Sequence, residues 1–176
     1  MSLQFLYSGV QSPNTFQYNS DKSLGGYISS SPVTNNTLNE LFSDISLLGE
    51  QNQYIEVKGI FLKNIGTVKT NLRCWFVTPQ NNKALFEIAA VIPVNSNQIE
   101  VVQTFRTNPQ IGTFFNPDVN NKALLSSSLA ANDTLGLWLR RTIQPKQTMT
   151  LEQLETYQAN QFLVKTEQFD LIFSWD

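Results

Sequence analysis

Any chemistry in this chain has to be done without histidine, because none of its 176 residues is one. The commonest general base and the commonest metal ligand are thereby removed together. A Ser or Cys nucleophile needs a neighbouring base, which here would have to be a Lys or a carboxylate, and no spacing suggests such a pair. The single cysteine, Cys74, alternates with Leu72 and Phe76, which predicts a buried core thiol rather than a reactive one. With one cysteine there is no internal disulfide to build a scaffold on.

Paired carboxylates are the machinery of glycoside hydrolysis. The candidates are Glu50, Glu56, Glu87, Glu100, Glu152 and Glu155. Glu87 and Glu100 fall on neighbouring predicted strands, on a side that faces solvent, where such groups are ordinarily solvated. Asp118, Asn120 and Asn121 come nearest to a calcium loop but lack its close acidic alternation. No catalytic, cofactor-binding or metal-binding residue is predicted.

Aromatic and cationic residues remain. Trp75 and Trp138 offer either a platform for a sugar ring or, with Trp175, anchors for packing and interfaces. Packing or interface anchors are the expectation. Arg140-Arg141 either pairs with carboxylates of a neighbouring subunit or stands as two solvated strand-end cations.

Composition narrows the partners. Lys and Arg total 12, Asp and Glu 14, and the formal net charge is -2. Nucleic-acid binding needs clustered cations, and Arg140-Arg141 is the densest site available, so no direct nucleic-acid contact is expected. Charged residues make up 15 % of the chain, against a usual fraction of about 25 %. Asn, Gln, Ser and Thr fill the gap, giving a neutral, hydrogen-bonding surface that suits a large fixed assembly and equally a secreted β-domain. The opening MSLQFLYSGV has no cationic stretch or long apolar stretch, so no secretory signal is expected. No apolar run nears the roughly 20 residues that span a bilayer. A soluble protein made in a cytoplasm is the expectation, with no small-molecule substrate.

The elements that would position these residues are mostly strands. Tyr54–Val77 reads as a pair of strands joined by a polar turn at Lys63–Thr67, with Ile55, Val57 and Ile60–Leu62 before it and Leu72, Cys74 and Phe76 after it. Lys83–Pro93 and Gln98–Phe105 read as a third and fourth strand joined in a hairpin. Pro109–Phe115 is a short strand, and Asp118–Asp133 a long loop with an apolar centre. Leu135–Arg141 alternates Leu135, Leu137 and Leu139 against Gly136, Trp138 and Arg140, and Glu167–Asp176 closes the chain as a last strand. Helices are predicted at Asn36–Leu48, from the stripe Leu38, Leu41, Phe42, Ile45 and Leu48, and at Gln147–Asn160. Residues 1–31 read as an extended arm: Leu3–Gly9 is a short edge strand or part of the arm, and Gln11–Ser31 has no regular period, with Leu24–Ile28 as its one ordered element. Phe5, Leu6, Tyr7, Phe16, Tyr18, Tyr27 and Ile28 are too many apolar groups for a disordered tail, so the arm is expected to lie on its own domain or on a neighbour.

Several short motifs follow one another in a telling order. Tyr7-Ser8-Gly9 precedes Ser23-Leu24-Gly25-Gly26, then Leu41-Phe42-Ser43-Asp44-Ile45-Ser46, then Tyr54 with Ile60 and Leu62-Lys63-Asn64. Pro109, Gly112 and Phe115 follow, then Gly136-Leu137-Trp138-Leu139-Arg140-Arg141-Thr142. The series resembles a set of small virion structural proteins of tailed bacteriophages with an immunoglobulin-like sandwich. It covers about Leu3–Thr142, departs at Gly9-Val10, where a second Gly is expected, and departs again after Ile143. The resemblance implies an all-β, antiparallel immunoglobulin-like β-sandwich at residues 32–176, with one or two short helices and the arm at 1–31. It implies a non-enzymatic part of a virion (capsid decoration, neck, tail or baseplate) that contacts other virion proteins and copies of itself. Phe5, Tyr7, Phe16, Tyr18, Trp138, Arg140, Arg141 and Trp175 are the expected assembly contacts. A carbohydrate-binding β-sandwich is the alternative.

Overall fold

The structure, a computed structural model, describes residues 3–9, 12–17, 19–33, 41–42, 53–77, 84–91, 94–110, 113–143 and 170–176. Both predicted helices lie outside the described residues, except for Leu41 and Phe42, and so does Tyr18. What is described is all-β and antiparallel, with no α-helix and a single 3-10 turn at Ser20–Lys22.

The described residues form nine strands in two sheets. They are β1 (Leu3–Gly9), β2 (Gly26–Pro32), β3 (Tyr54–Asn64), β4 (Lys69–Val77), β5 (Ala84–Val91), β6 (Gln98–Ile99), β7 (Ala123–Leu129), β8 (Thr134–Ile143) and β9 (Asp170–Ser174). The larger sheet runs β5-β8-β3-β1-β2-β6, and the smaller runs β7-β4-β9. One core lies between them in a sandwich-like arrangement. Ile60, Leu62, Ile88, Leu135, Leu137 and Leu139 face inward from the large sheet. Leu72, Cys74, Phe76, Leu125 and Leu129 face them from the small one. Phe5 meets Phe173 across this core with ring centroids 5.1 Å apart.

Period-two alternation makes this possible and also requires a second cover. In β3 the residues between the inward set, Val57 and Phe61, are as buried as Ile60 and Leu62. A strand buried on both faces needs something on each. The outer face is sealed by Ile28, Ile99 and Val102, with Leu24 and Phe114 packed beside them. Gly136 makes the room: a Cβ there would lie 2.3 Å from Ile99 Cγ2. Gly25, at φ +90°, lets the chain pass where a Cβ would meet the Glu100 carbonyl oxygen at 1.7 Å.

Several expectations change. The strands of Tyr54–Val77 exist but do not pair: β3 bonds to β1 and β8, whereas β4 bonds to β7 and β9 in the other sheet. The turn between them is a corner, held by buried Asn64. Its amide donates to the carbonyls of Thr67, Leu129 and Ala130 at 2.7, 2.9 and 3.0 Å, and its Oδ1 accepts from Gly66 N–H at 3.0 Å. The same side chain thus also pins the crossover from β7 to β8. The predicted hairpin of third and fourth strands is absent too, because β5 and β6 lie at opposite edges of the large sheet. Beyond Ile99 the fourth strand does not continue: Val102 N–H donates to the Leu24 carbonyl, and the segment serves as cover for the outer face. Of Pro109–Phe115, the described part contributes one bridge, Phe115 to Ile88. The loop Asp118–Asp133 contains a strand, β7. Finally, the arm supplies two strands of the large sheet: residues 3–9, read as an edge strand or an extended arm, form β1, which sits inside the sheet between β3 and β2, and residues 26–32, at the end of the stretch read as irregular apart from Leu24–Ile28, form β2.

Candidate functional site

Four polar or apolar groupings stand out, and each is built by adjacent strands. The first gathers the glycine- and serine-bearing motifs. Ser8 is the last residue but one of β1 and Ser23 precedes β2, and both hydroxyls donate to the Gly59 carbonyl, at 2.7 and 2.6 Å. Ser23 Oγ accepts from Ser8 N–H at 3.0 Å, and Ser8 Oγ accepts from Gly25 N–H at 3.0 Å. Both serines are fully buried. Their hydroxyls are spent on backbone groups, and no titratable side chain stands among these partners to activate either as a nucleophile. The arrangement stitches β1 and the start of β2 onto β3.

The second grouping lies on the inner face, at the end of the core marked by Tyr54 and Ile143. Glu56 and Lys58, two apart on β3, share that face, and Arg141 is the register partner of Glu56 on β8. Glu56 Oε2 accepts from Arg141 Nη2 at 2.6 Å, and Oε1 lies 3.1 Å from Lys58 Nζ. Lys58 also reaches Asp21 at 3.1 Å. The Glu56 and Lys58 side chains are wholly buried. Two acids and two bases balance, which is how buried charge is tolerated. The Arg141 guanidinium lies 5.1 Å from the Phe42 ring centroid.

The third is on the outer face. Arg140 grips its register partner Glu87 through Nε and Nη2, at 2.7 and 2.8 Å, and reaches Asn108 Oδ1 at 3.3 Å. Its guanidinium stacks 4.1 Å from the Phe114 ring centroid. Adjacent arginines thus point to opposite faces, each with a carboxylate of this same chain. Glu100, the other carboxylate weighed for catalysis, accepts from Gln110 N–H at 2.7 Å. Asp118 Oδ1 caps its own turn, accepting from Asn120 and Asn121 N–H at 2.7 and 2.8 Å. Glu50, Glu152 and Glu155 lie outside the described residues. No group of three metal-ligating side chains is found among the described residues.

The fourth is an exposed apolar surface. On the small sheet, inward Leu72, Cys74 and Phe76 leave Arg73, Trp75 and Val77 facing out. Trp75 stands opposite Ile172, and Arg73 opposite Leu124. Val77, Leu124 and Ile172 are exposed, and Lys122 Nζ sits 4.3 Å from the centroid of the half-buried Trp75 ring. Trp175 is 41 % exposed just past β9.

No family model matches the sequence, and no curated protein or solved structure matches it.

The residues named from sequence as assembly contacts divide clearly. Phe16, at 74 % exposure, and Trp175 are on the surface. Tyr7, Trp138 and Arg141 are buried, Phe5 packs against the core, and Arg140 is held by Glu87. Trp138 cannot be a sugar platform: it is fully buried beneath Gly25, and its indole N–H has no hydrogen-bond partner among the described residues. Cys74 is buried, and burial pushes its thiol from the ordinary 9.0 up to about 12, which holds it protonated. Sequence reasoning missed Val77, Leu124 and Ile172 as surface residues. Alternation against Cys74 would have exposed Val77; Leu124 and Ile172 needed the sheet order.

Proposed function

We propose that this chain is a non-enzymatic structural component of a tailed-phage virion and works by protein–protein contacts with other virion proteins and with copies of itself. The observation that carries the reading is the small sheet. It offers an outward apolar face of Trp75, Val77, Leu124 and Ile172, and no described strand pairs with the outer edge of β7 or β9. Exposed apolar side chains beside strand edges with no described partner are costly for an isolated protein and natural for an assembled one. The resemblance adds the virion. Its serine and glycine motifs, from Ser8, Ser23-Gly26 and Gly136, are here the stitches and clearances of the fold, which fits a family defined by architecture.

The finer expectation, an immunoglobulin-like sandwich, belongs to the same proposal. Chain crossings between sheets at β3–β4, β4–β5 and β7–β8, and the pairing of distant β3 with β8, are in keeping with Greek-key sandwiches. A division into six and three strands is not their usual complement.

Purified particles test the proposal. Quantitative mass spectrometry is expected to recover the chain in many copies per particle; its absence from clean particles would sink the virion role.

A further inference from the structure

We draw no further inference here: the strongest candidate, the outward face of the small sheet around Trp75, Val77, Leu124 and Ile172, has charges of both signs among it in Arg73, Lys122 and Asp170, and nothing in the structure shows what covers it.

Discussion

Glu56 stands directly opposite Arg141 across β3 and β8, and its two carboxylate oxygens are divided between Arg141 Nη2 at 2.6 Å and Lys58 Nζ at 3.1 Å. The relationship ties together three charges at the end of an otherwise apolar core. It is a structural network, since each oxygen already has a cationic partner.

Removing its centre should therefore be costly. Glu56→Ala takes away the buried carboxylate shared by Arg141 and Lys58, leaving Lys58 its contact to Asp21, and is expected to lower stability by about 3–5 kcal/mol. Replacing all three, with Glu56→Leu, Lys58→Met and Arg141→Met, is expected to cost less than about 1 kcal/mol or to stabilise, because desolvation is then avoided. Urea denaturation of both variants checks this. A triple variant less stable than Glu56→Ala would contradict it.

The clearance on the outer face gives a second expectation. Gly136→Ala places a methyl 2.3 Å from Ile99 Cγ2 and should cost about 1–3 kcal/mol by overpacking. Ile99→Ala removes the clashing group and opens a cavity of its own. Combined, the two should be less destabilising than their sum by about 1 kcal/mol. A thermal-denaturation double-mutant cycle reads the difference; strict additivity would show that Gly136 and Ile99 do not compete for this space.

Cys74 supplies a pH dependence. Its thiol rises from 9.0 to about 12 on folding because burial disfavours the thiolate. With the folded value raised, its contribution is fully present below pH 9.0 and is lost as pH climbs toward about 12, where unfolding comes to release a proton. The stability difference between the unaltered chain and Cys74→Ala is expected to shrink over that window. A difference that is flat with pH would place the thiol in contact with water. Thiol reagents should react with native Cys74 only through unfolding.

Legibility in the sequence followed the range of the interactions. Alternation in Leu135–Arg141 placed Trp138 and Arg140 on one face and Leu137 and Leu139 on the other, and the sheet keeps that division. It could not tell that the face of Trp138 is buried as deeply as the other, because the cover comes from Ile99 and Val102 far along the chain. Nor could it give partners: Glu87 and Glu56 lie 53 and 85 residues from their arginines. The β7 strand hid behind Ser126–Ser128, which break the apolar pattern; Ser126 Oγ donates to the Ser128 carbonyl at 2.6 Å and so meets its need for a partner locally. The corner at Asn64 read as a hairpin because its deciding bonds, to Leu129 and Ala130, are long-range.

In the proposed role the small sheet's outer face and the residues near it meet other proteins in a particle. Hydroxyl-radical footprinting of purified particles against the isolated chain tests it most directly. In the isolated chain Phe16 and Trp175, at 74 % and 41 % exposure, should be labelled, together with Trp75 more weakly, while Trp138 stays silent. In particles, Trp75 and Trp175 should lose most of their labelling and Trp138 should remain silent. Equal labelling of Trp75 and Trp175 in particles and in isolation would contradict the account.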